Sequence, residues 1–428
     1  MEMDKPFKVV QLLVFCAALT FVVMGTYARS FGDAANSRLA TVYSLTEYGT
    51  FYLDRPLDQE PNRFEQGTID KVMANGHIIS SKPPMLVLFM TGEYWLLNKA
   101  FGLDLNDKED TEQIIRLLSM TLMGLPYLLI LILFAWTLEF LGIDPLVRTV
   151  LLFCLAFCTQ LWGYSLNINN HVPGAFLVVA CLYLSLGLIE GVFAPVWWRF
   201  FLFGLLAGLV PTIDTPAAIF PFLAGIALLI KFPKEALTWA LLGGLIPLGV
   251  HGAIMYVVTG SPFPVQTRAE LYLYRGSYWR HPIQVDALDE TKLNYLFNMT
   301  LGRTGLFALY PILFGGIAAG LRALLRKDTP YRTHILMGLA GFVILSAYYL
   351  LKTNNYGGQA YGFRWYMAAM PVLLMMSAPL LCKVRTRWRW IFVGFMIGIS
   401  FYSAWECTVT PWAANHEWTT RFLGTSYK

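Results

Sequence analysis

Charged residues are scarce in this chain. Asp, Glu, Lys and Arg make up 14% of its 428 residues, whereas a soluble protein has roughly 25%. The alternation of apolar and polar residues that a membrane β-barrel needs is also missing. The chain is instead 56% hydrophobic, and several continuous apolar runs reach about 20 residues, enough to cross ~30 Å of hydrocarbon. The sequence therefore predicts an all-α polytopic membrane protein.

Cysteine and metal-binding motifs are sparse as well. The six cysteines lie inside apolar runs or at the end of one, so no loop framework for a structural disulfide is present. The acidic stretch from Asp104 to Asp107 is too thin for a metal motif. The sequence therefore requires no cofactor and leaves a divalent metal open. With no repeat or soluble linker in the chain, we expect a single domain over 1–428.

Charges between the apolar runs predict the orientation of eleven membrane spans. Loops rich in Lys and Arg stay in the cytoplasm, and such clusters precede the first run and follow 215–230, 305–321 and 366–382. We interpret these basic clusters as cytoplasmic loops next to the membrane and expect no nucleic-acid partner. They agree on a cytoplasmic N-terminus, so the first run is expected to be an uncleaved signal-anchor. The predicted spans are 9–28, 114–140, 146–163, 172–190, 199–213, 215–230, 237–259, 305–321, 335–351, 366–382 and 390–407.

This topology leaves one apolar stretch, Met85 to Asn98, that begins and ends outside. It has only about 14 residues, too few for a comfortable span. We expect it to lie along the membrane surface or to dip into it. Such a segment is tolerated where protein or a water-filled cavity covers it, which indicates a site nearby. The external segments are then about 29–113, 260–304 and 352–365, with an external C-terminal tail at 408–428.

The segment from Thr68 to Pro84 carries most of the candidate chemistry. A carboxylate at the membrane surface can take a proton from an acceptor hydroxyl. Lys82, restrained by Pro83 and Pro84, can hold a phosphate as a point charge. His77 could assist in binding the substrate. Each of these residues, taken alone, could equally be a solvated loop residue. The candidate bases are Asp70 first, then Asp33 or Asp54.

Two further external stretches offer alternatives. A helix is predicted from about Asn36 to Glu47 and is closed by Gly49. It is either an interfacial helix with Arg38 at the lipid headgroups or a helix on which Arg38 contacts substrate. In the turn "PTIDTP", Asp214 is either a turn former or a functional group that faces a cavity.

The third external loop reads "KTNNYGGQAYGFRWYMAAMP". Its glycines allow tight turns, and its aromatic residues form either an interfacial belt or a substrate-binding edge that includes Tyr356 and Tyr361. Arg364, just before the next span, could grip a phosphate with two parallel hydrogen bonds. The Tyr, Trp and Arg residues of 260–304 suit either sugar stacking or headgroup contact.

Three stretches together resemble one family. They are "NSRLATVYSLTEYGTFYLD" with "TIDKVMANGHIISSKPPML", then "GRTGLFALYPILFGGI", then "YGGQAYGFRWYMAAMP". They look like the GT-C membrane glycosyltransferases of the protein-mannosyltransferase and aminoarabinose-transferase-like group (glycosyltransferase family 39-like). The resemblance implies a GT-C fold with juxtamembrane helices in the first external loop. It also implies a polyprenyl-phosphate-sugar donor, inversion at the anomeric carbon and a carboxylate base outside the cytoplasm.

The resemblance also assigns roles to residues. Lys82 of "KPP" would contact the donor phosphate, with Arg364 as a weaker candidate. The chain departs from the family at one point. Relatives usually show an Asp-Glu pair shortly before an Arg such as Arg38, and here Ala35 and Asn36 stand at those places. This departure makes Asp70 the first choice of base, and it leaves open an inactive member of the family.

The expected function is therefore transfer of a hexose or pentose from a polyprenyl-phosphate-linked donor to an acceptor hydroxyl on a protein, lipid or glycan. We expect an integral protein of a bacterial inner membrane, with its active site on the extracytoplasmic side. Two rivals remain. A transporter or flippase for a lipid-linked sugar would need paired charges near the membrane midplane, where this sequence has almost none. A non-catalytic scaffold would explain the missing Asp-Glu pair.

Overall fold

The computed structural model describes residues 5–26, 32–58, 64 and 67–424. Within these residues the regular secondary structure is helical, apart from one two-stranded hairpin. All six cysteines are free thiols. The all-α class predicted from the apolar runs is confirmed.

Eleven apolar segments of the structure coincide with the eleven predicted spans. Six are helices long and apolar enough to cross a membrane: Lys5–Gly25, Lys108–Phe140, His171–Ile189, Pro233–Thr259, Arg332–Lys352 and Arg387–Val409. Five are shorter apolar helices: Pro145–Phe157, Trp197–Ile213, Thr215–Lys231, Pro311–Leu325 and Ala369–Leu381. The chain is thus a polytopic helical membrane protein.

Glycine lets two of these helices approach closely. A Cβ at Gly204 would overlap the carbonyl oxygen of Ala240, and one at Gly243 would overlap the carbonyl oxygen of Phe201. Small residues favour such backbone contact in membranes, because lipid offers no hydrophobic drive between helices. The helices Trp197–Ile213 and Leu241–Thr259 therefore pack backbone against backbone.

The first external region forms a small core of its own on the helix bundle. Its first helix is Asp33–Tyr48, closed by Gly49 in the left-handed conformation with φ 65°. The predicted helix and its glycine end are therefore confirmed, and the helix starts three residues earlier than expected. Apolar residues of this helix, such as Leu39 and Val42, pack against Met90 and Tyr94 of the helix Pro84–Phe101.

The interfacial interpretation of the first external helix is wrong. Arg38 is only 1% exposed, so its guanidinium does not reach lipid headgroups. The helix is enclosed because loops lie against the face that an interfacial helix would turn to the lipid headgroups. Asn36, for example, donates from its side-chain amide to the carbonyl oxygen of Gly67 at 2.8 Å.

A β-hairpin follows, and the sequence analysis did not predict it. Strand β1, Lys71–Ala74, pairs antiparallel with β2, His77–Ser80. The two strands are joined by Asn75 and Gly76, which have φ 52° and 82°. Asn-Gly is the preferred pair for a two-residue hairpin turn with positive φ at both positions, so this signal was present in the sequence.

The helix Pro84–Phe101 contains the stretch that we expected not to cross the membrane. It has 18 residues and is not among the helices that are long and apolar enough to span. Its outer face exposes Phe89, Trp95 and Leu96, as a helix lying against lipid would. That the helix lies along the surface stays a prediction.

The remaining helices are short and lie at the ends of the bundle. They are Asp54–Asp58, Gln160–Tyr164, Lys292–Thr300, Leu306–Leu309 and Trp418–Leu423. Tight turns connect them, including Ala269–Tyr272, Tyr278–Arg280, Gln284–Asp286 and Arg364–Tyr366.

Loops that were predicted to be cytoplasmic contact one another at one end of the bundle. Glu139 lies 3.3 Å from Lys8 and 3.4 Å from Arg148. His334 pairs with Glu190 at 2.6 Å. These contacts agree with the grouping of loops derived from charge parity, and they leave the other end of the bundle to the predicted external segments.

Candidate active-site cleft

A cleft of about 550 Å³ opens at the end of the bundle opposite these ion pairs. Every chain segment that lines it belongs to, or directly adjoins, a predicted external segment. Representative lining residues are Arg38, Asp70, Lys82, His171, Asp214, Gln266, Trp279, Tyr349, Lys352, Arg364 and Trp412. Tertiary packing thus collects residues from across the chain at one site.

Asp70 and Lys82 form an ion pair in the wall of the cleft. The Lys82 ammonium lies 2.7 Å from Asp70 Oδ1, and the two side chains are 21% and 14% exposed. The hairpin sets this geometry, because the amide of Ser81 donates to the Asp70 carbonyl oxygen at 3.1 Å. Burial lowers the pKa of Lys82, and the charge of Asp70 opposes that effect. The pair therefore combines a proton acceptor with a cation in a partly desolvated place.

Arg38 places a second cation beside this pair. Its guanidinium donates to the Ala34 carbonyl oxygen at 3.1 Å and to Asn170 Oδ1 at 2.9 Å, while Nε is buried without a partner. Burial lowers its pKa to about 10, opposed by the charge of Asp70. Arg38 therefore stays charged at neutral pH, and among the described residues no carboxylate forms an ion pair with it.

Arg364 supplies a third cation from the third external loop. It begins the short turn Arg364–Tyr366, and its guanidinium lies over the ring of Trp412 at 5.2 Å. On another side lies Gly357, whose φ is 101° and whose Cβ, if added, would stand 3.1 Å from Arg364 Cγ and Nε. The predicted glycine turn thus makes room for this side chain. Arg and Lys around one cavity are suited to bind a phosphate.

A buried His–Asp pair lies in the same cleft. His171 Nδ1 is 2.9 Å from Asp214 Oδ2, and both side chains are 6% exposed. Asn169 Oδ1 fixes the start of this helix by accepting from the amides of His171 and Val172, each at 2.9 Å. Gly174 lets Asp214 approach, because a Cβ there would lie 2.7 Å from Asp214 Cβ. Asp214 therefore lines a cavity, as one of its two interpretations predicted.

A second chamber of about 360 Å³ adjoins the cleft. The two chambers share Asp70, Lys82 and Arg364, but the second adds the carboxylates of Asp33 and Asp286. Asp286 accepts from the Tyr278 hydroxyl at 3.1 Å and from the Asn355 amide at 3.2 Å. Burial raises the pKa of Asp286, and the nearby charge of Asp70 adds to the effect. The ion pair thus stands between a basic chamber and an acidic one.

The other candidate bases, Asp33 and Asp54, accept hydrogen bonds from backbone amides. Asp33 lines the second chamber, and its Oδ1 accepts from the Ile69 amide at 2.9 Å. Asp54 accepts from the Ile78 amide at 3.1 Å and contacts His77 Nδ1 at 3.0 Å, outside both chambers. The His77 ring stacks on Tyr52 at 4.0 Å.

The two tyrosines of the third loop lie behind the cleft. The Tyr356 hydroxyl donates to Glu290, and the Tyr361 hydroxyl donates to Glu406 at 2.8 Å. Neither ring lines a chamber. Of the residues predicted for the site, the structure therefore brings together Asp70, Lys82, Arg364 and Arg38, with Asp33 at the edge.

Sequence reasoning missed several residues of the two chambers, among them His171, Asp286, Lys352 and Trp412. His171 begins a span directly after Asn169 and Asn170, and polar residues at that position were a usable signal. The described residues contain no group of three His, Cys, Asp or Glu arranged to hold a metal.

Comparison with known proteins yields likenesses to solved structures alone. No family model matches the chain, and no curated protein matches it. Among solved structures it is similar to the oligosaccharyltransferase of Archaeoglobus fulgidus, crystallised with a tethered acceptor peptide, at TM-score 0.49 and 13% identity. The match covers 92% of this chain and 55% of that one, so the chain spans about half the length of that enzyme. The likeness assigns no residue or reaction to this chain.

Proposed function

We propose that the protein is an inverting glycosyltransferase of the GT-C type. It moves a sugar from a polyprenyl-phosphate donor to an acceptor hydroxyl at the extracytoplasmic face of a bacterial inner membrane. One observation carries the proposal: the cations Lys82, Arg38 and Arg364 line one cleft with the carboxylate of Asp70, which pairs with Lys82 where the two chambers meet. That arrangement suits an anionic leaving group beside a general base.

The proposed reaction uses this arrangement of charges. The acceptor oxygen bonds to the anomeric carbon while the bond from that carbon to the phosphate oxygen breaks, and the configuration inverts. Asp70 takes the acceptor proton. The electron pair of the broken bond stays on the phosphate, where the three cations stabilise the added charge. A phosphate that enters beside Lys82 competes with Asp70 for its ammonium, and this competition frees Asp70 to accept the proton.

An apolar groove supports a donor with a long hydrocarbon chain. It has about 430 Å³ and lies between the helices Trp197–Ile213, Ile219–Lys231 and Leu241–Thr259. Its lining includes Pro211 and Ala218, and the residues between these two, Ile213 to Pro216, line the cleft. A lipid seated in the groove would therefore bring its phosphate to the cationic chamber.

The test uses purified protein in lipid nanodiscs and a panel of polyprenyl-phosphate hexoses and pentoses. We expect Asp70→Asn and Lys82→Met each to lower the transfer rate by about 100-fold or more. Lys71→Met is the matched control, because Lys71 lies on the same hairpin and lines neither chamber. Asp33→Asn and Asp54→Asn test the alternative bases in the same assay.

Full transfer by both the Asp70 and Lys82 variants would contradict this site. Loss of transfer in the Asp54 variant alone would identify Asp54, which lies beside the hairpin, as the base. A non-catalytic scaffold is the second candidate, favoured by one observation: Asn36, at a place where relatives have an acid, is engaged with Gly67. Binding of a donor without transfer by the wild type would support it, whereas movement of the donor between leaflets would indicate a flippase.

A further inference from the structure

The C-terminal segment Thr410–Leu423 returns to the cleft and docks along the turn that carries Arg364. The Pro411 carbonyl oxygen accepts from the Tyr361 amide at 3.0 Å and from the Tyr164 hydroxyl at 2.8 Å. Glu417, which is fully buried, accepts from the Gly362 amide at 2.6 Å. The segment therefore holds the loop backbone at Tyr361 and at Gly362.

Trp412 is the residue of this segment that enters the site. It lines both chambers. Its ring packs edge-on against Tyr164, with ring centroids 5.2 Å apart, and the Arg364 guanidinium lies over it at 5.2 Å. Because Gly357 borders the same side chain, Arg364 lies between an indole ring and a bare stretch of backbone.

Arg364 has no stronger restraint among the described residues. No carboxylate within the described ranges forms an ion pair with it, and its buried Nε has no partner. An arginine side chain carries about 2 kcal/mol of rotamer entropy, so an unrestrained one binds an anion less well. A cation–π contact restrains the guanidinium without occupying its outward N–H donors.

We propose that the segment Thr410–Leu423 supplies one residue of the active site, Trp412, as a positioning residue, which holds Arg364 ready for an anionic phosphate. Glu417 fastens the segment to the loop. The inference rests on the proposed function only for the identity of the phosphate, which there belongs to a polyprenyl lipid. The sequence analysis predicted only that this segment belongs to an external tail.

The experiment measures binding of a polyprenyl monophosphate, without sugar, to the full chain in nanodiscs. We expect Trp412→Ala to weaken binding about tenfold and Trp412→Phe to weaken it less, because phenylalanine keeps an aromatic face. In an Arg364→Ala background, Trp412→Ala should cause no further loss, because its effect passes through Arg364. A purely structural tryptophan would give additive losses.

The control is Phe422→Ala, a change to an exposed aromatic residue of the same segment. It should leave phosphate binding at the wild-type level. Thermal melting of each variant separates unfolding from loss of binding. Equal binding by wild type and Trp412→Ala would overturn this inference alone. No binding by the wild type would overturn the proposed donor and this inference with it.

Discussion

Two histidine–carboxylate pairs lie at opposite ends of the helix bundle and differ in their surroundings. His334 and Glu190 are 16% and 34% exposed and pair at 2.6 Å. His171 and Asp214 are each 6% exposed, pair at 2.9 Å and line a cavity that also holds Arg38 and other cations. The first pair joins two loops. The second places buried titratable groups where a ligand can reach them, which is typical of functional sites.

A similar contrast separates Arg148 at one end from Arg38 and Arg364 at the other. Arg148, at the His334 end, lies 3.4 Å from Glu139. Arg38 and Arg364 lie at the cleft, where no carboxylate of the described residues forms an ion pair with them. Burying a cation without a partner costs free energy, so a fold that keeps two of them has a use for an anion. This difference supports the proposal that the cleft is the active site.

The largest difference between the ends should come from removing one histidine from each. His171→Ala leaves the Asp214 carboxylate buried without its partner, and such a change costs about 3–5 kcal/mol of unfolding free energy. His334→Ala should cost less than about 1 kcal/mol, because its partner reaches solvent. Denaturation monitored in detergent checks both values. Similar losses of unfolding free energy in the two variants would show that the difference in burial does not affect stability.

Replacing one arginine at each end should separate binding from stability. Arg38→Met leaves Asn170 and Ala34 acceptors unpaired, at about 1–3 kcal/mol, and should also weaken polyprenyl-phosphate binding by about 10- to 100-fold. Arg148→Met should lower stability without changing that affinity. The measurement is lipid-phosphate binding at matched folded fractions. Loss of affinity in both variants would show that the effect comes from a general change of the fold and not from a contact with the phosphate.

Glu417 should make the attachment of the C-terminal segment depend on pH. Burial raises its pKa to about 7, from 4.5 in the unfolded chain. Between these values the folded state holds a proton that the unfolded state releases, so stability falls as pH rises through this window, by on the order of 2–3 kcal/mol in total. The titratable groups that face it are Arg303, Cys407, Tyr164, Tyr310 and Tyr361.

Glu417→Gln is the matched variant, because its amide oxygen can still accept from the Gly362 amide. Its melting temperature should exceed that of the wild type increasingly from pH 5 to pH 8. A constant difference across this range would contradict a raised pKa in the folded state. The variant therefore reports on one buried carboxyl at the cleft end, separately from the exposed Glu190 at the other.

The smallest effect is expected when a glycine at the cleft, Gly357, and a glycine away from it, Gly102, are each replaced by alanine. Gly357→Ala and Gly102→Ala both place a side chain at positive φ, 101° and 71°, which costs about 1 kcal/mol each. Only Gly357→Ala also crowds Arg364. We expect similar losses of stability and a fall in phosphate affinity for Gly357→Ala alone. Binding isotherms and melting curves of the two variants make this comparison.

Much of the fold followed from the sequence. The apolar runs predicted the eleven membrane segments, because hydrocarbon admits only helices whose backbone groups are satisfied internally. Charge parity predicted which loops share an end of the bundle, and the ion pairs at the His334 end agree with that grouping. The Asn75-Gly76 hairpin was not predicted, although Asn-Gly is a local turn signal. The burial of Arg38 had no local signal, since it depends on Asn170, a residue 132 positions away.

The sequence by itself determined that this chain lies in a membrane, which segments share an end of the bundle and that Asp70, Lys82 and Arg364 are candidates for one site. Only the tertiary structure decided which side chains meet. Asp214 reaches His171 across 43 residues, and Trp412 reaches Arg364 from the end of the chain. The physical reason is that apolar patterning places a helix in lipid, whereas its neighbours follow from side-chain packing, which no single segment encodes.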